Sequence, residues 1–164
     1  MNLVYDRTAE DVERALTLAK KAEAGTLTDA EKTEWLAGMK GCYNAADMNR
    51  VEAAVQTLAV ELNAAGYAVE IMPQSFAETD IVRLSQWRQY LANVQALRDA
   101  YYTLAETGQL PDAADKLDYI GANNIEKVLA DIDLLIGWMK SSYRRCGTFR
   151  AGNNAAHLPL KGSA

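Results

Sequence analysis

Apolar residues recur along three stretches of the chain at intervals of three and four residues, the spacing that places them on one face of an α-helix. These stripes are Met48, Val51, Val55, Leu58 and Leu62; Trp87, Leu91, Val94, Leu97, Tyr101 and Leu104; and Ile125, Val128, Ile132, Leu135 and Met139. Each stripe is narrow, as in helices that pack against one another. The pattern therefore predicts a mainly α fold, a bundle of three long helices.

Capping residues predict where the helices begin and end. Thr28 and Glu31 form a Thr-x-x-Glu capping box, in which the hydroxyl and the carboxylate satisfy each other's backbone donors. The predicted N-caps are Thr8, Thr28, Asn44, Ser85 and Asp118, and the predicted terminating glycines are Gly25, Gly38 and Gly66. Two shorter helices, the first over residues 9–24, therefore precede the three long ones.

One stretch between the first and second apolar stripes favours extended structure. Residues 67–72, "YAVEIM", have the composition and alternation of a strand, and Pro73 ends the run. We therefore predict one short strand at residues 67–72, followed by an extended crossover to the next long helix.

The beginnings of two predicted long helices resemble each other. "YNAADMNRVE" at residues 43–52 and "LDYIGANNIE" at residues 117–126 align at an offset of 74 positions. The aligned pairs are Asn44 with Asp118, Asn49 with Asn123, Val51 with Ile125, Glu52 with Glu126, Val55 with Leu129, Leu58 with Ile132, and Leu62 with Ile136. Two explanations stay open, an internal duplication and the small set of residue types that capped amphipathic helices use. In both, Asn49 and Asn123 are expected to hydrogen-bond the segment leading into each helix.

Charge is unevenly distributed along the chain, whose net charge is −5. Residues 140–164 carry five basic side chains and no acidic one, whereas residues 1–139 have a net charge of −10. An acidic body repels nucleic acid, and the five cations form neither a dense patch nor an aromatic-interleaved stripe. The charge pattern thus favours an acidic protein surface over nucleic acid as the partner.

The basic end of the chain also lacks a helical period, because residues from 147 onward have the composition of turns. We therefore divide the chain into a helical bundle domain, residues 1–143, and a basic irregular C-terminal tail, residues 144–164. The tail is predicted to dock on a neighbouring protein, and the alternative is that it folds back as a lid on its own acidic body. The predicted docking residues are Arg144, Arg145, Phe149, Arg150, Leu158 and Leu160.

The sequence carries no recognisable catalytic or metal site. A carboxylate metal cluster would use Glu52, Glu126, Asp131 and Asp133, but di-iron bundles need histidines on two helices and this chain has one histidine, His157, in its tail. No glycine-rich loop opens a helix after a strand, so phosphate binding is unsupported. We therefore expect no enzyme activity, no cofactor, no metal and no small-molecule substrate.

The cellular setting is predicted from three further features. No apolar run is long enough to span a bilayer, and the N-terminus lacks the basic and apolar stretches of a secretory signal. Cys42 and Cys146 have neither metal-ligand spacing nor companions, which is typical of free thiols in a reducing compartment. These features predict a protein made in the cytoplasm, without a membrane partner.

The sequence resembles small structural proteins of tailed bacteriophages and prophages of Gram-positive Firmicutes, which are described as tail, baseplate or minor structural proteins. The resemblance covers most of residues 29–140 and rests on "EWLAGMKGCYNAADMNRVEAAVQTLAVELNAAGY", "RQYLANVQALRDA" and "LDYIGANNIEKVLADIDLLI". Such sequences often have a proline after the "TDI" element, where this chain has Val82. The resemblance implies a virion component without catalysis, assembled in the host cytoplasm.

Two function classes follow from these observations. The first is a virion structural or adaptor subunit that binds other virion proteins or copies of itself. The second is a soluble cytoplasmic helical adaptor that binds one host or prophage protein. Stable helices and a separate docking segment suit both, and the resemblance favours the first.

Overall fold

The computed structural model describes residues 1–146, with side chains described as far as Ser142. Its helices are α1 (Ala9–Glu23), α2 (Asp29–Leu36), α3 (Ala45–Ala64), α4 (Leu84–Ala100) and α5 (Tyr119–Cys146). The mainly α fold with three long helices is thus confirmed. Helix α5 continues to Cys146, so the predicted boundary between bundle and tail at residue 144 falls within its last turn.

Local capping chemistry accounts for most of the helix ends. Capping boxes begin the first three helices, at Thr8, Thr28 and Asn44. In each box, the side chain of the cap accepts the backbone N–H of the residue three positions later, and the carboxylate of that residue accepts the backbone N–H of the cap. Asp118 caps α5 by accepting the backbone N–H of Gly121 at 2.7 Å. The predicted glycines follow α1, α2 and α3 at positive φ, where a side chain would be strained. These boundaries agree with the sequence prediction.

Helix α4 differs from its prediction at both ends. Ser85 is not the cap, because the Oε1 atom of Gln86 accepts the backbone N–H of Arg83 at 2.9 Å and the helix already begins at Leu84. The helix ends at Ala100, so Leu104, the last residue of the predicted stripe, lies beyond it.

The three long helices pack around one hydrophobic core. Every stripe position of α3 is buried, and in α5 the buried positions include Leu129 and Ile136, whereas Leu135 is only half-buried. The buried core residues are Met48, Val51, Ala54, Val55, Leu58, Ala59, Leu62, Val69, Phe76, Tyr90, Leu91, Val94, Leu97, Ile125, Val128, Leu129, Ile132 and Ile136. None of them belongs to α1 or α2, which lie outside this core.

All three long helices run in the same direction. Arg50 pairs with Glu126 near the beginnings of α3 and α5, and Glu61 pairs with Lys140 at 2.9 Å near their ends. Helix α4 shares this direction, because Tyr101 at its end packs edge-on against Tyr67 just beyond α3, with ring centroids 4.9 Å apart. Parallel neighbours require long connections that return along the bundle.

Three extended segments run back along this bundle, each between two long helices. The N-terminal segment (residues 1–8) bonds to α3 and α5, the first return segment (residues 67–83) to α3 and α4, and the second return segment (residues 101–118) to α4 and α5. The extended crossover predicted after Pro73 is thus confirmed as part of the first return segment.

The predicted strand at residues 67–72 is wrong, since residues 1–146 contain no strand. Asparagine side chains take the place of a neighbouring strand. Asn63 both donates to and accepts from the backbone of Val69, and Asn93 does the same for Met72, with all four bonds between 2.9 and 3.0 Å. The backbone is extended, as the residue types favour, but helices satisfy its hydrogen bonds.

Candidate functional site

Four ionised side chains meet where the N-terminal segment crosses α3 and α5. This charge cluster consists of Arg7 from the segment, Asp47 and Arg50 from α3, and Glu126 from α5. Arg7 is 4% exposed, Asp47 8% and Glu126 0%, while the Arg50 side chain is 26% exposed. Charged side chains are rarely buried to this degree unless they are paired, so the cluster is the chemically most unusual place in the described chain.

The four charges neutralise one another through direct ion pairs. The Nη2 atom of Arg7 lies 2.8 Å from Glu126 and 3.2 Å from Asp47. The Nη2 atom of Arg50 lies 2.8 Å from Glu126 and 2.6 Å from Asp47. Burial opposes the charge of Arg50, but its hydrogen bonds to Glu126 and Asp47 outweigh burial and raise the pKa of its guanidinium.

Arg7 is held from every side. Its Nε atom donates to the carbonyl of Lys40 at 3.1 Å, and its Nη1 atom donates to the carbonyl of Val4. Its guanidinium also lies over the ring of Tyr43, 5.2 Å from the ring centre. The planar fork of arginine suits such a site, since a lysine has no equivalent set of fixed donors.

Helix α5 binds the backbone of the N-terminal segment with two side chains one turn apart. Asn123 accepts from the N–H of Arg7 at 3.0 Å and donates to its carbonyl at 2.8 Å. Glu126 accepts the N–H of Val4 at 2.6 Å. The segment therefore runs antiparallel to α5 and is recognised through its backbone as well as through Arg7.

The aligned residues of α3 bind the first return segment in the same way. Asn49 accepts from the N–H of Phe76 at 2.9 Å and donates to its carbonyl at 2.7 Å. Glu52 accepts from the backbone of Gln74 and from the Asn93 side chain. The repeat thus extends to what the two helices bind. The prediction that each asparagine bonds the segment leading into its own helix is wrong, because the bound segments lie far away in the chain.

The two glutamates of the repeat differ in their electrostatic setting. Glu126 has two arginine partners, whereas the bonded partners of Glu52 are an amide side chain and a backbone N–H. Burial raises the pKa of Glu52, although the bonds from Asn93 and Gln74 work against the shift. Only one half of the repeat is therefore built to receive a cation.

A pair of tyrosines lies beside the cluster, with Tyr90 fully buried and Tyr43 partly buried. The hydroxyl oxygens of Tyr43 and Tyr90 are 2.6 Å apart. Burial raises the pKa of both phenols well above the ordinary value, so they are protonated at neutral pH. Each hydroxyl has the other as its partner, which leaves the pair as a structural contact between α4 and the start of α3.

The polar side chains of the charge cluster bond one another and the backbone of the N-terminal segment. A cavity of about 450 Å³ next to the cluster is lined by Lys40, Asn44 and three of the cluster residues. Among the described residues, every buried side-chain nitrogen and oxygen atom has a hydrogen-bond partner. The cluster is therefore built to hold the N-terminal segment in its groove.

The carboxylates considered for a metal site lie apart. Glu126 belongs to the charge cluster, Glu52 pairs with Asn93, and Asp131 accepts from Thr107 at 2.6 Å and pairs with a lysine one turn earlier. Within the described part of the chain, no three histidine, cysteine, aspartate or glutamate side chains are grouped as a metal would require.

The predicted docking residues fall at or beyond the end of the described chain. Arg144 and Arg145 lie in the last turn of α5, and Phe149, Arg150, Leu158 and Leu160 lie outside the described residues. Of the basic residues from 140 onward, Lys140 pairs with Glu61 of the acidic body at 2.9 Å. The docking role of the tail therefore stays a prediction.

Sequence reasoning missed the charge cluster because Arg7 lies before the first helix and shows no periodicity. One signal was present. Glu126 lies between the apolar positions Ile125 and Val128, inside the stripe of α5, and the same register recurs at Glu52. A carboxylate within a core-facing stripe needs a buried partner, and that partner turns out to be an arginine 119 residues earlier in the chain.

Comparison with known proteins adds no further assignment. Among the described residues, no helix is long and apolar enough to cross a membrane. No family model matches the chain, and neither the curated proteins nor the solved structures show a significant similarity to it.

Proposed function

We propose that this chain is a non-catalytic structural subunit of a phage tail or baseplate, which works by binding other virion proteins or copies of itself. The resemblance of residues 29–140 to phage structural proteins supports a role in the virion. The interior of the bundle supports an assembly role, because its buried charges bind the chain's own backbone and one another. The alternative is a helical adaptor for a single host or prophage protein.

The observation that carries the proposal is an exposed apolar face near the end of α5. Leu134 is 44% exposed and Trp138, one turn further on, is 54% exposed. Gly137 lies beside them, and a methyl group added there would meet nothing within 4 Å, so the face is open. Tryptophan is enriched among the residues that dominate protein–protein binding energy. This face leads directly into the tail predicted to dock.

A second exposed apolar group lies at the start of α4. Ile81 is 90% exposed, and Val82 and Leu84 beside it are 38% and 50% exposed. Single exposed apolar side chains are ordinary in soluble proteins, but neighbouring ones are typical of interaction surfaces. Both groups are available for contacts with other subunits.

Quantitative mass spectrometry of purified particles tests the proposal. Particles of the phage that encodes the chain should contain it in a fixed ratio to another tail protein. Trp138→Glu should lower that ratio, whereas Leu16→Glu, at a 56% exposed position of α1, should leave it unchanged. Circular dichroism should confirm that both variants keep their helices. Particles that lack the wild-type chain would refute the virion role and favour the adaptor.

A further inference from the structure

We propose that the groove between α3 and α5 is a recognition site for an extended segment with a buried arginine, and that its occupant in an assembly is the N-terminal segment of a second copy. The two copies would exchange residues 1–8, each filling the groove of the other. The inference concerns the purified chain and holds whether or not the chain belongs to a virion.

The groove recognises its occupant in two ways. Asn123 and Glu126 bind the backbone at Arg7 and Val4, with bonds of 2.6 to 3.0 Å, much as a neighbouring strand would. The charge cluster recognises the arginine side chain. An occupant needs an extended backbone, and it needs an arginine three residues after the residue whose N–H donates to Glu126. In the N-terminal segment these two residues are Val4 and Arg7.

The charge of the empty groove matches one incoming arginine. Without Arg7, the groove retains two carboxylates and Arg50, which pairs with both Asp47 and Glu126. The vacated cluster thus has a net charge of −1, and neither carboxylate is left without a cation. Because Arg50 still pairs with both carboxylates, departure of Arg7 costs less free energy than removing one partner of an isolated buried ion pair. The remaining negative charge favours the return of an arginine.

The N-terminal segment is also the one most easily released. The two return segments each connect two long helices of the core, which hold both ends of each segment in place. The N-terminal segment leads instead into α1 and α2, which contribute no residue to the buried core. Helix α1 buries only Ala15 and Leu18, and α2 buries none of its residues. Release therefore removes Leu3 from the edge of the core but leaves the contacts among α3, α4 and α5 themselves in place.

The exchanged form keeps the same contacts as the closed form. A segment taken from a second copy brings the same Val4 and Arg7 to the same groove, so the two forms differ mainly in the connection and in the entropy of association. In dilute solution, the attached segment has the advantage of a high effective concentration. Exchange should therefore increase when copies are crowded together, as they are in an assembly.

Cross-linking between two differently labelled proteins tests the exchange. One protein carries Tyr5→Cys and the other Lys127→Cys, both in a background of Cys42→Ser and Cys146→Ser. Tyr5 is 47% exposed and its ring lies 5.9 Å from the Lys127 ammonium. A short bismaleimide should therefore join the two positions efficiently when a segment occupies a groove. The proteins are mixed at high concentration, passed through mild urea to open the segments, returned to buffer and cross-linked.

A matched control sets the background of random collision. In this control, a protein with Ala30→Cys, on the exposed surface of α2, takes the place of the protein with Tyr5→Cys. The proposal predicts a Tyr5→Cys to Lys127→Cys heterodimer in several-fold excess over the Ala30→Cys control. Adding Arg7→Met to the Tyr5→Cys protein should return the yield to the control level. A single chain with both Tyr5→Cys and Lys127→Cys should cross-link internally before mixing.

Three results would overturn the proposal. The first is a heterodimer yield equal to the Ala30→Cys control. The second is a yield that Arg7→Met leaves unchanged, because the arginine would then have no part in recognition. The third is the absence of an internal cross-link in the double-cysteine chain, because the segment would then not occupy the groove. Each of these leaves the particle test of the virion role untouched.

Discussion

Replacing Glu126 by glutamine tests whether the charge cluster holds the fold together. The substitution keeps the size of the side chain and removes its charge. The two carboxylate oxygens of Glu126 accept four donors, one from Arg7, two from Arg50 and one from the Val4 backbone, at 2.6 to 3.2 Å. Whichever way the amide turns, its NH₂ group faces two donors. Two bonds are lost, and one positive charge is left uncompensated in the buried cluster.

The expected loss of stability is about 3–5 kcal/mol, the range for breaking a buried ion pair by removing one partner. This is a large part of the roughly 5–15 kcal/mol that stabilises a typical domain. Glu52→Gln is the matched control, because Glu52 occupies the aligned position of α3 and is 2% exposed. Glu52 has no arginine partner to be left without a counter-charge. A glutamine oxygen there can still accept from Asn93 or from the Gln74 backbone, so one hydrogen bond is lost at most. Its effect should stay within about 1 kcal/mol.

Urea denaturation followed by far-ultraviolet circular dichroism measures both effects, with the free energy of unfolding taken by linear extrapolation. The reasoning requires a much lower midpoint for Glu126→Gln than for Glu52→Gln at an unchanged slope. Equal midpoints for the two variants, or a Glu126→Gln protein within about 1 kcal/mol of wild type, would show that the cluster contributes no more than an ordinary hydrogen bond.

Further predictions concern the core, a cap, pH and the tail. Leu58→Ala should cost about 2–5 kcal/mol in the same assay, because Leu58 is 0% exposed, whereas Val60→Ala at a 70% exposed position should have little effect. Thr28→Ala should cost about 1 kcal/mol by opening its capping box with Glu31, and an unchanged midpoint would contradict that role. The raised pKa of Glu52 means that the folded state binds its proton more tightly, so stability should fall as pH rises above about 4.5 toward the folded-state pKa. Glu52→Gln should remove this part of the pH dependence in urea titrations at several pH values. Deleting residues 147–164, which follow the described residues, should keep the helicity and Tm and abolish assembly in light scattering. A truncated protein that unfolds or still assembles would contradict the docking role.

The sequence alone was enough to predict the helices and most of their ends. A cap and the backbone groups that it satisfies lie within about four residues of each other, so Thr28, Asn44 and Asp118 could be recognised without knowledge of the fold. The apolar stripes were equally readable, since their period depends only on helix geometry. Ser85 was the exception, because the glutamine that follows it caps the backbone from inside the helix.

The tertiary structure decided what the extended segments bind. Residues 67–72 have strand-forming side chains, but whether their backbone pairs with a strand or with Asn63 and Asn93 depends on which elements lie nearby. The carboxylate partners of Arg7 are 40 and 119 residues away along the chain, so no local pattern could identify them. The parallel direction of the long helices has the same origin. It creates the grooves that the extended segments fill, and only in the folded chain do Asn123 and Glu126 become a binding site.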